Sequence, residues 1–379
     1  MGLTTSVSSE AADRAANSTD AINLTTAFVG VRVIDGTGGP VRDDLTVVVT
    51  GGVVSGIGPR TAVGVPPGAI MVVGNGATLL PGIVDSHVHL GFLRHPERLL
   101  AQGVTAVRDL GWPPALLAPL RARAEAAGLL VAFTGPMLTA PNGYPMRAAW
   151  APAGTGLEID TTEDAEAAVD RVVRSGACAV KIAMDPRVGP MLRPGLLHAV
   201  VQRALEWGRH VTAHAATIDA VETCLSSGVQ ELAHLPFGPT PLPRSLADEL
   251  VARGVRVVPT LGCREGSPTD ASAALQSLRT FVDCGGAHLV AYGTDLGNDH
   301  TRPGLDLREL LLLHEAGLDP LDVIAAATSR AARLLRAGEL TGTIAAGLRA
   351  DLMLVDGDPA TDLGTLAHPR VVMAAGRVT

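Results

Sequence analysis

From residue 81 to about residue 300, short apolar runs alternate with Ala-rich stretches of helical character. The runs are Val84 to His87, VTAVRDL (104–110), LLVAF (129–133), CAVKIAM (178–184), HVTAH (210–214), VQELAH (229–234), VRVVPT (255–260) and LVAYGT (289–294). Helical stretches fall at 162–175, 194–208, 217–227, 243–253 and 304–316. Strands that alternate with helices predict a parallel sheet. Eight of them over about 210 residues fit closure into a (β/α)8 TIM barrel better than an open sheet.

The flanks have another texture. TAFVGVRVI and DLTVVVTGGVVSGIG, then ADLMLVDGD and RVVMAAGRVT near the far end, are β-branched runs cut by Gly, Asp and Pro. The two ends are expected to pair. Residues 22–80 and 341–379 then form one small β-sandwich domain, and 81–340 is a barrel inserted between them. Residues 1–21 are rich in Ser, Thr, Ala and Asp and lack the apolar stretch of a signal peptide, so they read as a flexible tail.

Composition narrows the function classes. Aromatics are only 3% of the chain, so Ala, Val and Leu must build the core. A formal net charge of −8 with no Lys/Arg run speaks against nucleic acid and against a polybasic membrane patch. No apolar run reaches the roughly 18 residues that span a bilayer. The four cysteines are widely spaced, as expected of reduced thiols in a cytoplasmic protein.

The chemistry sits where the apolar runs end. His87 and His89 close the first run, Lys181 lies inside the fourth, His214 and His234 close the fifth and sixth, and Asp295 follows the eighth. In a barrel these ends open on one face, the face on which active sites form. Residues i and i+2 of a strand point to one side, so both imidazoles of His87-x-His89 can reach one ion. Lys181 in an apolar strand carries a heavy desolvation cost that lowers its pKa. Either its amine escapes to the barrel mouth, or it is neutral and adds CO2 to give a carbamate able to bridge two metals. Imidazole and carboxylate ligands suit zinc, with cobalt, manganese and iron also compatible. A hydroxide held between two such ions is a strong nucleophile at neutral pH. Asp295 is the natural proton carrier, first base and then acid.

At these residues the chain resembles the amidohydrolase superfamily, in its imidazolonepropionase-like and Xaa-Pro-dipeptidase-like branch. The matching segments are PGIVDSHVHL (81–90), GVTAVRDLG (103–111), AVKIAM (179–184), VTAHA (211–215), ELAH (231–234), GTD (293–295) and GTIAAGLRADLMLVDGDP (342–359). The resemblance implies one metal on His87, His89 and Asp295 and a second on His214 and His234. It also implies a carboxylated Lys181 bridging the two, and a small-molecule amide, peptide or lactam as substrate. Deaminase members are typically mononuclear and place a Glu shortly after the strand-five His, where this chain has Ala215, Ala216 and Thr217.

Two departures leave the substrate open. Ala216 stands where peptidase-like members often carry Tyr, and the loop Thr139-Ala-Pro-Asn-Gly-Tyr144-Pro lacks their His. Tyr144, Asn142 and, in the loop after Asp295, His300 are the residues expected to touch substrate. Arg108 and Asp109 are expected to form a structural pair near the site, and Cys263 to lie at its mouth. The same centre could instead open a lactone, a carboxyl ester or a phosphotriester, and a non-catalytic scaffold is the reading of a different class. Related enzymes are often oligomeric, but no interface is readable here.

Overall fold

The computed structural model describes residues 24–379 apart from residue 265; the tail expected over 1–21 lies outside them. The first strands are β1 (Thr25–Val33), β2 (Arg42–Thr50), β3 (Val53–Pro59), β4 (Ile70–Val73) and β5 (Thr78–Pro81). β2 and β3 are joined by Gly51 and Gly52 alone, both at positive φ. A two-residue hairpin whose twist matches its strands needs such backbone at both positions, and only glycine adopts it without cost. β1 meets β2 along one edge, while its other edge is shared by β4 and then β5.

The middle of the chain is parallel. β6 (Ile83–Val88), β7 (Val104–Asp109) and β8 (Leu130–Phe133) form one sheet. β9 (Met137–Thr139), β10 (Gly156–Glu158), β11 (Val180–Met184), β12 (Val211–Ala215), β13 (Glu231–Ala233) and β14 (Arg256–Val258) form another, in the order β10-β9-β11-β12-β13-β14. β6, β7 and β11 are buried at every position, so their sequences do not alternate between an apolar and a polar face. Helices follow: α1 (Pro114–Ala126), α2 (Thr162–Arg174), α3 (Pro194–Glu206), α4 (Ile218–Ser226), α5 (Arg244–Ala252), α6 (Pro268–Asp283), α7 (Leu307–Glu315), α8 (Pro320–Ala325) and α9 (Ala331–Leu334). The five stretches read as helical are α2, α3, α4, α5 and α7. α7 starts later than expected, because Asp306 caps it by accepting the N–H groups of Arg308 and Glu309.

The eighth apolar run is not a strand. Val290 makes a single bridge to Val257, and Ala291 N donates to Val257 O at 2.9 Å. Tyr292 O then accepts from Ser86 N at 3.2 Å, but Tyr292 N turns away to Ala326 O. That donor leaves the ladder for a helix, so no regular pairing develops. The run still touches β14 on one side and β6 on the other. Cys178 N, donating to Phe133 O at 2.9 Å, links the two parallel sheets at their other junction.

The far end returns to the start. β15 (Leu352–Val355) pairs antiparallel with β5, and β16 (Pro369–Ala374) and β17 (Arg377–Val378) extend the same sheet. Phe28, Val31, Val47, Leu79, Leu352, Leu354 and Met373 share its core. Strands from both ends of the chain thus make one sheet around a common apolar layer.

Candidate metal centre

His87, His89, His214 and His234 lie at or just past the C-terminal ends of parallel strands, Lys181 is the second residue of β11, and Asp295 follows the segment through Tyr292. β6 delivers His87 and, one step past its end, His89. Both Nε2 atoms lie 3.2 Å from Asp295 Oδ1. The His87 and His234 rings are 5.0 Å apart, and those of His214 and His234 4.7 Å. The ligand atoms of His87, His234 and Asp295 all fall within 4.8 Å of one another. All six expected ligands line one cavity of about 420 Å³.

The backbone is bent to achieve this. His234, Thr260 and Asp295 have φ of 109°, 51° and 56°. Such conformations cost of order 1–3 kcal/mol each for a residue other than glycine, and they collect at working sites. The outer nitrogens of two histidines are already engaged. His234 Nδ1 meets Thr260 Oγ1 at 2.6 Å, and His214 Nε2 meets Asp185 Oδ2 at 3.3 Å. Asp185 is itself held by the Arg187 guanidinium at 2.7 and 2.9 Å. These contacts leave His234 Nε2 and His214 Nδ1 for a ligand, the arrangement by which outer contacts set the ring and tautomer of a metal-binding histidine.

Charge follows from burial. Burial lowers His87 to about 3 and holds His234 well below the ordinary histidine value, so both rings are neutral lone-pair donors. Burial opposes ionisation of Asp295, but the His87, His89 and His234 imidazoles overcome it and keep the carboxylate anionic. Lys181 is 1% exposed, and its Nζ is buried with no hydrogen-bond partner. Burial lowers it to about 7, against the pull of Asp295 and Glu231. A buried amine without a partner is costly unless something absent from the polypeptide satisfies it. Neutral imidazoles, an anionic carboxylate and an orphaned amine around one cavity fit a divalent-metal centre.

Not every expected residue reaches the cavity. Tyr144 lines it, its ring 5.0 Å from that of His214. Asn142 is exposed and its Oδ1 accepts from Arg147 at 2.8 Å. His300 lines a separate depression with Arg302 and Arg308; from that loop Gly297, Asn298 and Asp299 border the cavity instead. Cys263 is buried with Sγ 3.1 Å from Thr260 O, and burial pushes its thiol up to about 12. The expected Arg108–Asp109 pair does not form. Arg108 binds Glu231 through two nitrogens at 2.5 and 3.1 Å, while Asp109 accepts the N–H groups of Leu90 and Trp112. Glu231, 123 residues from Arg108, was too far away in sequence to be paired by inspection, yet it is the buried acid that matches the buried guanidinium.

Phe92, Met137, Trp150 and Arg264 also line the cavity and were not anticipated. Thr260 ends an apolar run just as the histidines do, so the rule that found the ligands could have found it. Arg264 lies in a loop, where no periodicity marks it.

Residues 78–379 match the model of the amidohydrolase family. An uncharacterized protein of Mycobacterium tuberculosis is 27% identical over 339 residues, 80% of this chain and 85% of that one. Adenine deaminase 2 of Bradyrhizobium sp. is 27% identical over 93% of this chain, which spans 58% of that protein. Among solved structures, a Xaa-Pro dipeptidase with bound methionine superposes with a TM-score of 0.80 at 22% identity, covering 94% of this chain and 99% of that one. The family match covers the parallel sheets and every one of the gathered side chains, and the chain belongs to the amidohydrolase family, hydrolases that act on carbon–nitrogen bonds.

Proposed function

We propose that the chain is a binuclear metal-dependent amidohydrolase that cleaves an amide, peptide or lactam C–N bond of a small substrate. The observation that carries this reading is Lys181: a buried amine with no partner, in the same cavity as four histidines and Asp295. His87, His89 and Asp295 would hold one ion, His214 and His234 a second. Lys181, neutral for part of the time near pH 7, would add CO2 at Nζ and release a proton, giving a carbamate that serves both. Zinc suits these donors. When bound, the ions supply Lewis-acid polarisation of the scissile carbonyl and a water of lowered pKa.

The side chains do the rest. Asp295, anionic and fixed between His87 and His89, takes the proton of the attacking water and returns it to the leaving nitrogen. Thr260 and Asp185 keep the His234 and His214 rings aimed at the centre. No carboxylate follows His214, where Ala215 and Ala216 are fully buried, so the deaminase reading lacks its proton carrier on that strand. We read the parallel strands and the segment through Tyr292 as one (β/α)8 barrel over 81–340. The terminal sheet is then the companion β-sandwich of 22–80 and 341–379.

Zinc-replete protein assayed on N-acyl amino acids, dipeptides, small lactams and aryl esters tests the proposal. Turnover of C–N substrates that chelation abolishes is expected. Turnover of esters alone, or turnover that survives chelation, would overturn it.

A further inference from the structure

We propose that a second small-molecule site lies toward the N-terminal ends of the parallel strands, where Arg209 and Arg336 hold the phosphate of a monoester whose organic group is small and apolar.

A depression of about 350 Å³ opens there, within the range of small-molecule sites, and it shares no lining residue with the metal cavity. Ala177 and Cys178 of its lining precede β11, and Arg209 precedes β12, whereas His214 belongs to the other end of β12. Three cations line it. Arg121 is already matched: its Nε meets Glu125 Oε1 at 2.7 Å, and its guanidinium carbon stands 5.3 Å from the Phe133 ring centroid. Arg209 and Arg336 are not matched by any acid among the described residues. Every hydrogen bond that either makes there ends on a backbone carbonyl. Arg209 Nε donates to Ala177 O at 3.0 Å, Arg209 Nη1 to Trp207 O and Gly208 O at 3.3 and 3.4 Å, and Arg336 Nη1 to Gly208 O at 2.5 Å.

Gly208 O thus holds two guanidinium groups close together. Burial, and then the charge of Arg336, lower the Arg209 guanidinium from its ordinary value. These carbonyls lie just past α3, and a basic side chain on the last carbonyls of a helix is an ordinary cap. One such cap satisfies the oxygen; a second leaves positive charge that carbonyl dipoles do not neutralise. Arg336 reaches its place from a φ of 60°, a left-handed conformation uncommon for a long side chain. Among the described residues, Arg209 Nη2 and Arg336 Nε and Nη2 keep their donors free.

The number of charges selects the ligand. A carboxylate brings one charge and is filled by one guanidinium fork. A phosphate monoester carries about −1.5 to −2 at pH 7 and offers three acceptor oxygens, which two guanidiniums can share. Leu130, Val131, Phe133, Leu335 and Leu340 supply the apolar part of the lining. Leu340 is 43% exposed, a large apolar side chain left in water beside two cations. That lining suits an apolar ester group better than a sugar.

Calorimetric titration with phenyl phosphate, inorganic phosphate and phenol tests the assignment, on zinc-replete protein and again after chelation. The chelated arm separates this site from phosphate captured by metal ions. Phenyl phosphate is expected to bind in both states, about tenfold or more tighter than either inorganic phosphate or phenol. Arg209→Gln and Arg336→Gln should each weaken it about tenfold or more, and Arg336→Lys by less. Leu340→Ala should weaken phenyl phosphate and leave inorganic phosphate unchanged. Arg336 and Leu340 are exposed, so their variants keep the fold. Phenyl phosphate that binds no tighter than phenol, an affinity that survives both arginine variants, or binding that disappears on chelation overturns the proposal. The outcome is independent of what the metal cavity hydrolyses.

Discussion

Arg108 and Glu231, 123 residues apart, meet with no solvent exposure on either side chain, the guanidinium donating to both carboxylate oxygens. Arg108 Nε also donates to Ser86 O at 2.8 Å, and Glu231 takes further hydrogen bonds from Thr212 and His210 at 2.9 and 2.8 Å. The pair ties β7, β12 and β13 to β6, which bears His87 and leads directly into His89. Removing one partner strands the other charge in the interior, which costs about 3–5 kcal/mol. Glu231→Leu and Arg108→Met are each expected to lose about that much in denaturant titrations, with the double variant recovering a large part.

Lys181 has a sharper signature. Lys181→Ala should lose metal and turnover together, by the loss of a shared ligand. In the unaltered protein, intact-mass measurement under gentle conditions should show the added mass of CO2, and metal reloading after chelation should need bicarbonate. Full reloading in CO2-free buffer would contradict the carbamate.

Asp295→Asn keeps the shape and removes the base. A positioned acid–base group contributes about 10²–10⁴-fold, so kcat should fall within that range or further, since Asp295 is also a ligand. Steady-state kinetics at saturating zinc measures it.

Asp185 and Thr260 act through His214 and His234. Losing such an outer contact lowers metal affinity or activity by about 10–100-fold. Asp185→Asn and Thr260→Val should weaken metal retention in competition with a chromogenic chelator while the fold survives, as circular dichroism would report.

Glu309 sets a pH slope of its own. It is buried on α7, with Oε2 accepting from Gly262 N at 2.6 Å and Oε1 without a partner, and burial raises its carboxyl from 4.5 to about 8. Between those values the folded protein holds a proton that the unfolded chain releases. Stability contributed by this group is therefore present below about 4.5 and lost as the pH rises through about 8. Glu309→Gln should flatten that decline in urea midpoints taken across the interval.

Much of this site was legible because burial makes polar residues conspicuous. A lysine between Val180 and Ile182, or a histidine closing an apolar run, breaks a pattern that the core otherwise enforces. The strands that carry them were legible for the same reason. The three-residue strands β9 and β10 carry too few apolar positions to stand out, and the segment through Tyr292 reads as a strand until a helix claims its N–H. The cavity walls are contributed by loops. Phe92, Trp150 and Arg264 obey no period, and Asn142 and His300 looked equally placed from sequence but turn toward Arg147 and toward a second depression. Long-range partners such as Arg108 and Glu231 are set by how β7 and β13 face each other, which no local pattern encodes.

The central claim is two metals on one carbamylated lysine. Elemental analysis of protein loaded with zinc in bicarbonate buffer and freed of excess metal tests it most directly. The account predicts two zinc ions per chain, falling to one or none in Lys181→Ala with loss of amide hydrolysis. A single tightly bound ion in the unaltered protein, with full activity and no change in stoichiometry in Lys181→Ala, would contradict it.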